Sequence, residues 1–203
     1  MTRPSTGDHA APRESTSRDE HYWFARVSHG DIGAFEQLFR MFAPDLAAFA
    51  ATYVADDDEA EEVVHVVFCW VWEHRFTLPR PANVRAYLFS AVRNRALNVV
   101  RDRRTEAAFR DRAARAGVAG NAPPSAPSPE GELAARDIAH ALADALRQMP
   151  PRCREVYVLA REHGLRYAEI AETLGIAPKT VEIHMSRALA MLRVKLAPWL
   201  GER

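Results

Sequence analysis

Residues 116–131, AGVAGNAPPSAPSPEG, divide this chain. Four prolines and three glycines, with almost no large apolar side chain, cannot bury enough surface to offset the entropy of ordering. Folded structure must therefore form separately on either side. On both sides apolar residues recur at helical spacing, and the period-two alternation of strands is missing. A length of 203 residues suits one large or two small domains. The expected fold is all-α: two small helical domains joined by a flexible linker, the second containing a helix-turn-helix. The expected boundaries are a disordered N-terminal tail at 1–20, a first domain at 21–110, the linker at 111–131 and a second domain at 132–200.

In the first domain, Phe35, Leu38, Phe39 and Phe42 predict a helix over Asp31–Phe42. Pro44 then opens a second helix with Leu46, Phe49, Ala50 and Tyr53 inward. The acidic stretch at 55–62 opens a third, since Asp and Glu near an N-terminus suit the helix dipole. Pro79 and Pro81 interrupt the chain before a long helix from about Asn83 to Arg104.

The second domain contains YAEIAETLGIAPKTVEIHMSRALAMLRVKL, residues 167–196. Ile170 and Leu174 lie four apart on a short helix, and Ala171 is small enough to let another helix cross closely. Gly175 falls where a turn needs positive φ, with Ile176 tucked beneath it, and Pro178 fits the first turn of the next helix. Val181, Met185, Ala188, Leu192 and Leu196 then form one apolar stripe. The opposite face carries Lys179, Glu182, Ile183, Ser186 and Arg187, which suits reading base edges in a major groove. An ordinary helical hairpin with a solvated face is the alternative.

Charge is asymmetric beneath a formal net of zero. Residues 55–62 hold six acids and no base, whereas Arg93–Arg115 holds eight arginines against three acids. Such blocks suggest two partners of opposite preference. Cys69 and Cys153 have no metal-ligand or redox spacing and fit separate core or surface thiols in a reducing cytoplasm. The polar N-terminus lacks a signal-peptide apolar region. The run Val63–Trp72 is too short to span a bilayer, so neither secretion nor membrane insertion is expected. The eight histidines are scattered, His163 and His184 near the helix-turn-helix fit structural or phosphate-proximal roles, and there is no phosphate loop or nucleophile elbow. Neither an enzyme, nor a cofactor or metal, nor a small-molecule substrate is expected.

Two further helix faces invite partners. On the helix from Asn83 to Arg104, Leu88, Val92, Ala96 and Val99 share one side, while Tyr87, Ser90, Ala91, Asn94, Asn98 and Arg101 share the other. Amides can contact adenine, arginines can hold phosphates, and an aromatic can stack on an unpaired base. A solvated helix with arginines at its end explains the same pattern. On the third helix, Val63, Val64, Val67, Phe68, Val71 and Trp72 fill a core face. Glu62, His65, Val66, Cys69, Trp70 and Glu73 remain as a docking patch rimmed by carboxylates, unless the helix is buried almost all round.

Together, GDIGAFEQLFRMFAPDLAAFA, AEEVVHVVFCWVWE, VRAYLFSAVRNRALNVVRDRR and the stretch from ALRQMPPRCREVYVLAREHG through the helix-turn-helix resemble the extracytoplasmic-function sigma factors of bacterial RNA polymerase. The resemblance covers roughly residues 27–197. It implies an alternative sigma factor, acting in the cytoplasm, that binds core RNA polymerase and directs promoter-specific initiation. The first domain would correspond to region 2. Glu62, His65, Val66, Cys69, Trp70 and Glu73 would contact the clamp helices of the β′ subunit, with His65–Val66 replacing a Gln–acid pair common in the family. Tyr87, Ser90, Ala91, Asn94, Asn98, Arg101 and Arg104 would recognise and melt the −10 element. Asn94 and Ala91, with the preceding loop Leu78–Val84, would line a pocket for a flipped base. The second domain would correspond to region 4, with Lys179, Thr180, Glu182, Ile183, Ser186 and Arg187 reading the −35 element. The implied partners are core polymerase, promoter DNA and an anti-sigma factor. A stand-alone helix-turn-helix regulator with a helical sensor domain is the second reading, and an interaction adaptor with merely solvated basic faces a third.

Overall fold

The computed structural model describes the backbone of residues 11–54, 56–114 and 133–200, and the side chains of 18–54, 56–107 and 140–198. Among the described residues the regular structure is helical, with no strand. The helices are α1 (Ala11–Val27), α2 (Ile32–Ala50), α3 (Asp57–Glu73), α4 (Val84–Ala114), α5 (Leu133–Gln148), α6 (Pro151–Arg161), α7 (Tyr167–Leu174) and α8 (Pro178–Leu200). Two compact units divide the chain, residues 1–100 and 101–203. Of the expected linker, 111–114 continue α4, and the rest lies outside the described residues.

The first unit is organised by aromatic burial. Asp31 caps α2 by accepting from the Ala34 N–H at 3.0 Å, and Gly30, at φ +84°, makes the turn from α1. Leu38, Phe42, Leu46 and Phe49 then form a fully buried stripe along α2. Two expected helices are therefore one, with Pro44 inside it. A mid-helix proline loses one backbone hydrogen bond and crowds the preceding turn, at about 3 kcal/mol. Burying Leu38, Phe42, Leu46 and Phe49 along a single axis supplies about 1.5–3 kcal/mol for each side chain, so the continuous helix wins.

Helix α3 starts at Asp56, whose carboxylate accepts from the Asp58 N–H at 3.2 Å, and its first turn is acidic throughout. Its inner face packs on α2: the Phe39 and Phe68 rings meet edge-on at 5.0 Å, and Phe35 lies 5.1 Å from Trp72. Helix α4 is capped by Asn83, which accepts from the Ala86 N–H at 2.9 Å, and it buries Leu88, Phe89, Val92 and Ala96.

Helix α1 corrects the reading of 1–20 as disordered. It begins at Ala11, and residues 1–10 lie outside the described residues. Glu20, Phe24 and Val27 are buried, so tertiary contacts hold a segment whose composition alone would not order it.

In the second unit, Ala145 of α5 and Met149, which follows it, pack with Cys153 of α6 and with Ala188 and Leu192 of α8. Between α7 and α8, Gly175 takes φ +64°, and the Ile176 N–H donates to the Ala171 carbonyl at 3.0 Å, closing α7 with the left-handed cap its sequence predicts. Val181, Met185, Ala188 and Leu192 are buried along α8, with Leu196 half-buried. Cys69 is exposed and Cys153 buried, both as free thiols.

Candidate nucleic-acid and polymerase interfaces

Because α3 buries Val63, Val64, Val67, Phe68 and Val71, the intervening positions must face outward. Glu62, His65, Cys69, Trp70 and Glu73 are exposed and Val66 is half-buried, which places the six expected docking residues along one side of a single helix. Trp70 is 45% exposed and stacks on His74, ring centres 4.5 Å apart. His65 stacks on Phe39 of α2 at 5.5 Å. Beside that pair, Ala43, Pro44, Ala47, Glu61 and Val64 complete an apolar cleft of about 340 Å³. The imidazole at position 65 thus extends the outer face of α3 onto α2, giving an apolar patch with a carboxylate rim.

The expected −10 residues of α4 divide by depth. Asn94 and Asn98 are exposed, and their amides make no hydrogen bond among the described residues. Arg101 and Arg104 are exposed further along the helix. Ser90 and Ala91 are half-buried. Tyr87 is half-buried too, its ring meeting Phe24 of α1 edge-on at 5.8 Å, and burial raises its hydroxyl pKa above the ordinary 10.0. Part of the Tyr87 ring is therefore engaged inside the protein.

An aromatic position beyond the sequence reading stands just before the loop that leads into α4. Phe76 is 68% exposed, and the Arg75 guanidinium lies over both Trp72 and Phe76, at 4.2 and 4.3 Å from the ring centres. The available signal was a phenylalanine off the apolar stripe of α3 and immediately after its end.

On α8, Lys179, Glu182, Ser186 and Arg187 are exposed, Ile183 is 44% exposed, and Thr180 is half-buried. Lys179 and Glu182 pair at 2.6 Å, and that hydrogen bond raises the lysine pKa. Arg187 is in no ion pair among the described residues. Behind this face, His184 Nδ1 lies 3.5 Å from the Cys153 sulfur, so His184 is a packing residue between α6 and α8. Burial pushes the Cys153 thiol pKa up, while the positive charge of Arg187 acts in the opposite sense. Helix α7 is fixed at its start by Glu169, whose carboxylate accepts from the Arg166 backbone N–H at 2.6 Å. No helix among the described residues is long and apolar enough to cross a membrane.

Comparison with known proteins matches residues 38–106 to sigma-70 region 2 and residues 139–192 to sigma-70 region 4. The ECF RNA polymerase sigma factor SigL of Mycobacterium tuberculosis is 33% identical over 179 residues, covering 85% of this chain and 96% of that protein. The RNA polymerase sigma factor CarQ of Myxococcus xanthus is 30% identical over 169 residues, covering 83% and 92%. A solved complex of the sigma factor RpoE with the anti-sigma factor NepR from Bartonella quintana is similar in structure. It has a TM-score of 0.60 and 27% identity, and the match covers 80% of this chain and 96% of that one.

Proposed function

The chain belongs to the extracytoplasmic-function sigma factors, and from that premise we propose how its helices share the work of starting transcription. It is an alternative sigma factor that binds core RNA polymerase and directs promoter-specific initiation. The observation that carries this is the succession of a region 2 match and a region 4 match in one chain. A stand-alone regulator with a sensor domain accounts for the second match and leaves the first unexplained. As a transcription initiation factor it contributes binding and base capture, while bond formation belongs to polymerase. The cytoplasm, where polymerase works, is its place of action.

The α3 patch of Glu62, His65, Val66, Cys69, Trp70 and Glu73 is the proposed seat of the β′ clamp helices. Trp70 supplies the aromatic anchor, and the carboxylates give a polar rim that selects a basic partner surface. His65, stacked on Phe39, replaces a hydrogen-bonding contact with an apolar one.

Melting the −10 element requires a base to leave the stack, which costs a few kcal/mol and needs a preformed receptor. Asn94 and Ala91, with loop 78–84, are the proposed receptor, since the Asn94 amide is exposed and its hydrogen-bonding groups are available to a base edge. Ser90 and the outer part of Tyr87 flank it, and Asn98, Arg101 and Arg104 hold the strand through its backbone. The −35 element is read as duplex by α8. Arg187 contacts a guanine or a phosphate, Ile183 meets a thymine methyl, and Thr180 and Ser186 take flanking contacts. Lys179 leaves its pair with Glu182 for a phosphate, which frees the carboxylate to accept from a cytosine amino group.

The partners are core polymerase, promoter DNA and an anti-sigma factor; the solved relative RpoE is itself held by one. Run-off transcription with core polymerase tests the function. Specific transcripts should appear only when this chain is added, and failure to initiate on any genomic fragment overturns it.

A further inference from the structure

Helix α1 precedes the segment matched to region 2, which begins at residue 38, yet it makes three contacts with the start of α4 and the loop before it. His21 Nε2 donates to the Ala82 carbonyl at 3.0 Å. Glu20 Oε1 accepts from Nε and Nη2 of Arg85 at 3.2 and 3.0 Å, with the Glu20 side chain only 6% exposed. Phe24 meets the Tyr87 ring edge-on at 5.8 Å. Positions 20, 21 and 24 lie within one turn of α1, and 82, 85 and 87 bracket the junction of loop and helix.

Much of the backbone of residues 77–83 is turned back on itself or has no donor. The Thr77 and Leu78 N–H groups donate back to the His74 carbonyl, Pro79 and Pro81 have no N–H to donate, and the Asn83 side-chain oxygen caps α4. The Ala82 carbonyl is a point at which the loop is tied to another element through its backbone, and His21 is the donor that ties it.

We propose that α1 is a brace that sets the position of the −10-reading loop, with His21 as its positioning residue and Glu20 and Phe24 as its anchors. The proposal rests on the reading above that loop 78–84 and Asn94 receive a flipped base. A base receptor must be preformed to discriminate, because displacement of the loop by an ångström loses aligned hydrogen bonds while leaving duplex contacts elsewhere intact. On this account promoter discrimination depends on a helix that carries none of the proposed base-reading residues.

The test uses the full chain reconstituted with core polymerase, a promoter selected by the wild-type holoenzyme, and versions of that promoter with single −10 substitutions. The variants are His21→Ala and His21→Gln; the position is half-buried, urea unfolding curves check that both fold, and the glutamine amide can still donate to Ala82. His21→Ala should slow promoter opening about five-fold, the order one ordinary hydrogen bond carries, and should shrink discrimination between the parent and substituted −10 sequences. His21→Gln should restore most of both, with core binding and −35 duplex binding unchanged in either variant. Wild-type opening and discrimination in His21→Ala overturn the brace. A parallel fall in core binding, −35 binding and opening also overturns it, because that marks general destabilisation. Hydrogen exchange of the free chain separates this from failure of the function itself. If the wild-type holoenzyme opens no promoter, the sigma reading falls. The brace then stands or falls on whether His21→Ala speeds exchange at Arg80, Ala82 and Asn83 relative to α2.

Discussion

Removing Arg85 should destabilise the first unit far more than removing an ordinary surface arginine. Its side chain is 20% exposed and Glu20, its partner through two hydrogen bonds, is 6% exposed. Arg85→Ala takes away the guanidinium that faces the buried Glu20 carboxylate, and breaking one side of a buried pair costs about 3–5 kcal/mol. The guanidinium also lies 5.2 Å from the Phe42 ring centre, worth about 0.5–1 kcal/mol, and 3.6 Å from the half-exposed Asp45, worth less. The expected loss is about 3 kcal/mol, the lower end of that range, or about 12–24 °C in the melting temperature of a unit this size. Urea unfolding followed by tryptophan fluorescence is the assay. Trp23, Trp70 and Trp72 report on the first unit, and Trp199→Phe removes the signal of the second. Glu20→Gln in the Arg85→Ala background should recover about 2 kcal/mol, since a buried amide is far cheaper than a buried charge. A loss below about 1 kcal/mol for Arg85→Ala, or additive single and double variants, refutes a coupled buried pair.

Three other outcomes follow from the same geometry. Asn94→Ala should cut promoter melting about tenfold while sparing −35 duplex binding, and Arg187→Ala should do the reverse. Equal effects of both in permanganate footprinting and in duplex gel shifts would contradict the division of labour. Trp70→Glu should weaken core polymerase binding about 30-fold in a competition assay with an unchanged unfolding curve, because the ring lies on the surface; wild-type affinity would remove α3 as the docking face. The Asp31 carboxyl is held below its ordinary 3.8, first by the Ala34 N–H and then by Arg26. A depressed folded pKa contributes stability that is complete above 3.8 and is lost as pH falls through the folded value. Asp31→Ala should therefore flatten the acid end of the stability profile, and an unchanged profile would remove the cap as its cause.

Features set by local chemistry were legible in the sequence. Gly175 and Pro178 mark the turn before α8 whatever surrounds them, and the stripe Val181, Met185, Ala188 and Leu192 fixes which side of α8 is inside. The outward face of α3 followed in the same way from its valines. Features set by distant partners were hidden. Pro44 is a local helix breaker overridden by the shared burial of Leu38, Phe42, Leu46 and Phe49. Residues 11–20 are polar and read as a tail, yet the helix they enter is held by Arg85 and Tyr87, more than sixty positions away. Phe76 is a candidate only once Arg75 is seen lying over it and Trp72. Helical spacing likewise put Tyr87 on the outer side of α4, and only the fold discloses that Phe24 covers part of it.

The most direct test is permanganate mapping of unpaired thymines on a promoter fragment, with core polymerase alone, this chain alone, and both together. The two-unit sigma account predicts reactive thymines across the −10 element only when both are present, and none within the −35 element, which α8 reads as duplex. Tight duplex binding by the chain alone, with no melting when core polymerase is added, would contradict it and leave an ordinary helix-turn-helix regulator in its place.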